Sequence, residues 1–190
     1  MKAHVINLKH RPERWLSCVK EFEKIGLMPE RFIGTHMRPG WHGCRESHLR
    51  FLRNVSREDI FMLAEDDILF MPDALENMNK AMRQLPEDWD MLYLGATLNK
   101  AIERHSENLY RLKSGYTTHA IIYNPARVID FIINYNPIRK IDVFFADILQ
   151  EQFNCYVTYP IVATQMPGYS DITNCFNDYS AIQKQFNQFT

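Results

Sequence analysis

Apolar and polar positions along this chain alternate between the two periods that distinguish strands from helices. His4 to Leu8 (HVINL) is short, apolar and rich in β-formers, and predicts a buried strand almost at the first residue. After the polar turn KHRPER, Trp15, Val19 and Phe22 recur at i, i+4 and i+7 until Gly26, which predicts an amphipathic helix with a glycine stop. A second short strand is expected at Arg31 to Ile33. The turn-rich MRPGWHG follows, then a helix with Cys44, His48, Leu52 and Val55 on one face, then a strand at Ile60 to Ala64. Pro72 is placed to open a helix whose apolar face is Leu75, Met78, Met82 and Leu85.

Residues 89–95 (WDMLYLG) predict another buried strand, Tyr110 to Leu112 a short edge strand, and His119 to Tyr123 a further strand. Pro125 starts a helix (VIDFII), a second helix is expected from about Asp142, and CYVTYP is a late strand closed by proline. Strands alternating with helices predict an α/β/α sandwich with a mixed, largely parallel sheet, in which ligands bind beyond the carboxyl ends of the strands. No repeat or linker divides the chain, so a single domain over 1–190 is expected, with a polar, Gln/Asn-rich tail from about 176.

Composition narrows the function classes. With 190 residues, 46% of them hydrophobic, the chain can bury a substantial core. A formal net charge of -1 gives no global pull toward nucleic acid, so no nucleic-acid partner is expected. Cys18, Cys44, Cys155 and Cys175 show no CxxC or zinc-type spacing and are read as reduced, partly buried thiols. No apolar run reaches the roughly 18 to 20 residues that span a bilayer, and MKAHVINLKHRPER lacks the apolar centre of a signal peptide. A cytoplasmic protein is expected, with peripheral contact to the inner face of a membrane left open by the aromatic tail residues Phe176, Tyr179, Phe186 and Phe189.

The candidate chemistry centres on LAEDDILF, residues 63–70. In extended backbone, side chains at i and i+2 share a face, so Glu65 and Asp67 are expected to converge while Asp66 points elsewhere. Converging carboxylates suit a hard cation such as Mg2+ or Mn2+, which keeps places for water and substrate phosphates. A solvated turn or a cap on the next helix would use the same residues. Asn7, Leu8, Arg11 and Arg14 directly follow the first strand, where arginines can grip phosphate through paired hydrogen bonds, although a solvated basic turn has the same composition. Neither GxGxxG nor GxxxxGK[ST] is present, so a dinucleotide fold and a P-loop lack motif support.

In GCRESHLRF, Ser47 and His48 diverge by about 100° on a helix and cannot form a nucleophile-base pair with each other. His48 is expected as a core group or a support for other site residues. Asp142 and Asp147, five apart on one helix, are not expected to face a single site together. Ser170 and Asp171, near Gln165, could be ligand contacts or an N-cap.

In this order the segments VINLKHRPERW, GCRESHLRFLR, LAEDDILF, WDMLYLG, GYTTHAIIYNPARVIDFI, KIDVFF and QMPGYSDI resemble glycosyltransferase family 25, the lipopolysaccharide- and collagen-type galactosyltransferases, over nearly the whole chain. The resemblance implies a GT-A-type nucleotide-sugar-binding fold and a UDP-sugar donor, with galactose the expected sugar. It also implies Mn2+ (or Mg2+), and transfer with inversion to a saccharide, lipid-linked or glycoconjugate acceptor. By that analogy Asn7, Leu8, Arg11 and Arg14 meet the nucleotide, Asp67 with Glu65 or Asp66 holds the metal on the diphosphate, and Gln165 and Ser170 complete the nucleotide-sugar site. Asp142 is the expected base, with Asp147 in reserve; KIDVFF departs from the family pattern in lacking its proline. No histidine follows His119 to complete the metal site as in many GT-A enzymes, so Asp171, with Gln165, or the diphosphate and waters must close it. A catalytically silent nucleotide- or glycan-binding module of the same fold is the alternative expectation.

Overall fold

The structure, a computed structural model, describes residues 1–135, 137–170, 172 and 175–186. Its strands in chain order are β1 Lys2–Asn7, β2 Glu30–Ile33, β3 Phe61–Glu65, β4 Ile68–Phe70, β5 Met91–Tyr93, β6 Thr97–Leu98 and β7 Glu103–Arg104. They continue as β8 Leu109–Arg111, β9 Gly115–Tyr116, β10 Ala120–Tyr123, β11 Cys155–Thr158, β12 Ala163–Gln165, β13 Gly168–Ser170 and β14 Cys175–Asn177. The helices are α1 Pro12–Lys24, α2 Gly40–Asn54, α3 Ala74–Gln84, α4 Pro125–Asn134, α5 Ile141–Phe144, α6 Gln150–Gln152 and α7 Ser180–Phe186. A π-helical turn, Phe145–Leu149, joins α5 to α6.

Eight strands form one sheet in the order β2-β1-β3-β10-β5-β11-β8-β7. β1 pairs in parallel with β2 and β3, and β5 with β11, while β10 runs against both β3 and β5. The sheet is therefore mixed, with β2, β1, β3, β5, β11 and β7 sharing one direction against β10 and β8. Period-2 alternation sends successive side chains to opposite faces. Phe61, Leu63, Met91, Tyr93, Ile121 and Tyr123 join the core under α2, α4 and the α5–α6 segment. Met62, Ala64, Leu92, Ala120 and Ile122 join the core that holds Phe22 of α1 and Met78 of α3. Two cores on two faces of one sheet make the expected α/β/α sandwich.

Local signals account for most boundaries. Pro12 and Pro125 occupy first-turn positions, where a missing N–H costs no hydrogen bond, and Gly26 supplies the left-handed φ of +67 after α1. Several expectations need correction. Of the expected face of α3, Met78 is buried and Met82 and Leu85 pack beside it, but Leu75 is 43% exposed and Ala74 and Ala81 take the buried positions, because Ala74, Met78 and Ala81 follow one another at i, i+4 and i+7. The strand at Leu109–Arg111 is not an edge, since β7 pairs outside it. The chain after the acidic triplet does not go straight into a helix: β4 intervenes and pairs with β12, nearly a hundred residues later. In the segment read as a polar tail, β14 and α7 form, and Ile182 is buried.

The shared strand direction has one consequence for chemistry. The segments leaving β1, β2 and β3, and the segment entering the reversed β10, emerge at the same sheet edge. Those segments carry Leu8 to Arg14, Gly34 to Pro39, Glu65 to Asp67, and Thr117 to His119. Among the described residues, no helix is long and apolar enough to cross a membrane.

Candidate functional site

At that edge lie two adjoining cavities. The first, about 760 Å3, is lined by Leu8, Arg14, Thr35, His36, Met37, Ser47, His48, Glu65, Asp66 and Asp67, among others. The second, about 700 Å3, is lined by Trp41, Thr117, Thr118, Lys140, Ile141 and Asp142, among others. Cys44, Glu65, Gln165, Ser170, Ile172 and Tyr179 border both.

The acidic triplet is not built as extended alternation predicts. Strand β3 ends at Glu65, and Asp66 and Asp67 form a turn before β4, so all three carboxylates border the first cavity. Asp66 accepts from the Asn7 amide at 2.5 Å and from Arg14 Nη1 at 3.1 Å. Asp67 accepts from Gln165 Nε2 at 3.2 and 3.3 Å and lies 4.0 Å from Arg14 Nη1. Glu65 Oε1 accepts from Thr118 Oγ1 at 2.6 Å and sits 3.4 Å from His48 Nε2.

These partners split the three carboxylates electrostatically. Burial works to raise Glu65, but hydrogen bonds from His48 and Thr118 and the charge of His48 outweigh it and hold Glu65 below its ordinary value. Burial pushes Asp66 up, against the pull of Asn7 and Arg14. Asp67 is pushed up to about 7, first by burial and then by the charges of Glu65 and Asp66, with Arg14 and Gln165 acting against the rise. Negative charge is crowded here beyond what Arg14 offsets.

Supporting residues explain why GCRESH reads as it does. Gly43 lies so close to the loop after β2 that an added Cβ would meet the Thr35 carbonyl oxygen at 2.4 Å. Ser47 Oγ donates to the Gly43 carbonyl at 2.6 Å and accepts from the Thr35 N–H at 2.7 Å, which pins that loop against α2. His48, 1% exposed, faces Glu65 as the expected supporting group. Thr117 holds φ at +77, a strained conformation for a β-branched residue, and it leads into Thr118, whose hydroxyl reaches Glu65.

Of the residues singled out in the sequence, Leu8, Arg14, Glu65, Asp66, Asp67, Gln165 and Ser170 border the first cavity, and Asp142 borders the second. Burial pushes Asp142 up. Asn7 stands behind the wall at 1% exposure, its amide committed to Arg31, the Arg11 carbonyl and Asp66. Arg11 pairs with Glu13 outside both cavities. Asp147 also lies outside both, paired with Arg139 at 3.0 Å near the surface, so the reserve base is not at the site. Asp171 lies outside the described residues. Thr35, His36, Met37, Trp41 and Thr118 line the cavities without having been singled out, and Tyr179 was read only as an aromatic tail residue; loops carry most of them, where periodicity gives no signal.

A protein of Acanthamoeba polyphaga mimivirus named "Putative glycosyltransferase R655" is 26% identical to this chain, over 71% of the chain and 50% of the relative. The chain thus spans half the length of the curated relative it matches. No protein-family model matches. Among solved structures, a glycosyltransferase involved in glycosylation of the major capsid of PBCV-1 superposes with a TM-score of 0.57 at 7% identity, covering 92% of this chain and 97% of that one. A Drosophila β1,4-galactosyltransferase 7 mutant, in complex with manganese, UDP-Gal and xylobiose, superposes with a TM-score of 0.50 at 12% identity, over 98% and 79%. The mixed sheet, its helical layers and these likenesses give the chain a GT-A-like α/β fold.

Proposed function

We propose that the protein is a metal-dependent glycosyltransferase of the family 25 type, which moves a sugar, galactose first among the candidates, from a UDP-sugar to a saccharide or glycoconjugate hydroxyl with inversion. The observation that carries this reading is the pair of adjoining cavities with a shared wall: one rich in carboxylates and fronted by Arg14, the other bordered by the half-buried Asp142. Transfer between two bound molecules needs this arrangement, because the reacting atoms must meet while each molecule keeps its own contacts. The mimivirus relative's name and the solved complex with UDP-Gal, manganese and xylobiose support the same chemistry.

The donor set fits a hard divalent cation. Asp67 and Asp66 offer oxygen, Glu65 stands behind them held by His48 and Thr118, and burial, with the charges of Glu65 and Asp66, disfavours a lone carboxylate at Asp67 that a bound cation would favour. Asp67, with Asp66 or Glu65, would hold Mn2+ or Mg2+, and the ion would offset the charge that develops on the leaving diphosphate. Gln165 keeps the Asp67 carboxylate in place. Arg14, tied to Asp66 and to the Tyr169 carbonyl at 2.6 Å, presents a fixed cation to the phosphates.

In the second cavity Asp142 takes the proton of the acceptor hydroxyl, and its raised affinity for protons suits it to that task near neutral pH. The acceptor oxygen forms a bond to the anomeric carbon as the bond to the diphosphate oxygen breaks, and the electron pair leaves with UDP. Direct displacement from the opposite face inverts the anomeric centre. Tyr179 and Trp41 border the acceptor cavity, and aromatic faces there suit a sugar ring.

A panel of UDP-sugars scored for Mn2+-dependent release of UDP, with and without simple saccharide acceptors, tests the proposal. Release from at least one UDP-sugar, abolished by chelator and by Asp67→Asn, is expected. UDP binding with no turnover of any donor would instead favour a silent nucleotide-binding module.

A further inference from the structure

Behind the acidic turn a different set of donors gathers. Cys44, His48 and Glu65 each offer one ligand atom, and these atoms lie within 4.8 Å of one another. Cys44 and His48 stand one turn apart on α2, the i, i+4 spacing by which one helix face presents two ligands, and Glu65 meets them from the end of β3. The spacing of two of these donors also suits a ligand site. The 3.4 Å from His48 Nε2 to Glu65 Oε1 matches the edge of a tetrahedron, about 3.3–3.4 Å for metal bonds of about 2.0–2.1 Å.

We propose that Cys44, His48 and Glu65 form a second metal site, selective for Zn2+, distinct from the hard-cation site at Asp67. Thiolate, imidazole and carboxylate are a zinc donor set, whereas Mn2+ and Mg2+ prefer oxygen alone. The first cavity, which all three residues border, opens the fourth position to water or to a ligand. Closing the triad requires the thiol to move by about an ångström, since zinc–sulfur bonds of about 2.3 Å set shorter edges than 4.8 Å. A bound zinc ion takes Glu65 Oε1 from Thr118 and sits in the wall between the two cavities. Resting on the transferase reading, the consequence is inhibition: zinc takes Glu65 from the wall of the donor cavity, which leaves Asp67 and Asp66 to hold the hard cation.

The test reads the site without donor or turnover, so it stands or falls separately from the transferase proposal. Co2+ replaces Zn2+ as a spectroscopic probe and is added to the metal-free protein. One equivalent should give a thiolate-to-cobalt charge-transfer band with tetrahedral d–d absorption, displaced by Zn2+ and not by Mn2+. The band should vanish in Cys44→Ser, weaken in His48→Gln and persist in Asp67→Asn. In the unsubstituted protein, Zn2+ at ten times its Kd should slow alkylation of Cys44 about tenfold, leaving the exposed Cys175 unaffected. Absence of a thiolate band, its survival in Cys44→Ser, or Cys44 alkylation indifferent to Zn2+ overturns the proposal.

Discussion

Replacing Gly43 by alanine tests how tightly the loop after β2 is held against α2. The new Cβ would lie 2.4 Å from the Thr35 carbonyl oxygen and 3.0 Å from the Met37 nitrogen, both backbone atoms. Ordinary C···O approach is about 3.3 Å, so loop or helix must shift by about 0.9 Å. The loop cannot give freely, because the Gly34 N–H donates to the Asn7 carbonyl at 2.9 Å and the Thr35 N–H to Ser47 Oγ at 2.7 Å. Overpacking of this kind costs about 1–3 kcal/mol, and loss of the Ser47 bond about 0.5–1.5 kcal/mol more. Alanine returns about 1 kcal/mol through helix propensity, which leaves a net loss of about 0.5–3.5 kcal/mol. Urea unfolding measures it as a fall in midpoint, and isothermal titration should show UDP affinity several-fold weaker, since Thr35, His36 and Met37 line the first cavity. Gly168→Ala, with no atom within 4 Å of its added Cβ, is the control and should change stability by a few tenths of a kcal/mol at most. A Gly43→Ala protein as stable as the original, with unchanged UDP affinity, refutes the reasoning.

The other predictions concern the carboxylates. Asp142→Asn should lower transfer by about 10^2- to 10^4-fold with UDP affinity retained, whereas Asp147→Asn should leave the rate intact and cost no more than about 1 kcal/mol, because its pair with Arg139 is exposed; steady-state rates and melting curves decide. In the metal-free protein, Asp67 holds its proton to about pH 7 when folded but only to about pH 4 when unfolded. The fold is therefore most stable below about pH 4 with respect to this group, and that contribution is lost as pH rises toward about 7, with an upper bound of about 4 kcal/mol. Asp67→Asn should flatten this slope; melting at pH 5 and pH 8 checks it, and an unchanged slope counts against it. Thr118→Val removes the hydroxyl that donates to Glu65 and should cost about 1.5–3 kcal/mol in urea unfolding; a neutral result would mean that His48 alone holds the carboxylate.

The fold was legible in the sequence wherever one element buried one face over several residues. HVINL, the Trp15–Val19–Phe22 stripe and VIDFII each span five or more residues, and all became elements at or near the expected bounds. Of the strands of two or three residues, only β5 within WDMLYLG and β8 at Tyr110 to Leu112 were legible. Strands β4, β12, β13 and β14 are too short for a period, and β4 exists because Ile68–Phe70 finds Ala163–Gln165 across the chain. The same holds at the site. The acidic triplet announced itself by composition, but its geometry depended on a turn at Asp66 and Asp67 that the apolar neighbours Ile68 to Phe70 masked. The close approach of Gly43 to Thr35 is a tertiary fact, invisible until the loop after β2 folds back on α2. Cys44 and His48 were placed on one helical face in the sequence, yet only the end of β3 supplies the Glu65 that makes them a cluster.

The central claim is that a hard cation, held at Asp67, joins the protein to a nucleotide diphosphate. Isothermal titration of UDP into the protein with and without Mn2+, repeated with Asp67→Asn, tests it most directly. The account predicts binding that strengthens markedly with Mn2+ in the unsubstituted protein and loses that dependence in the variant. UDP affinity indifferent to Mn2+, or equally metal-dependent after Asp67→Asn, would contradict it.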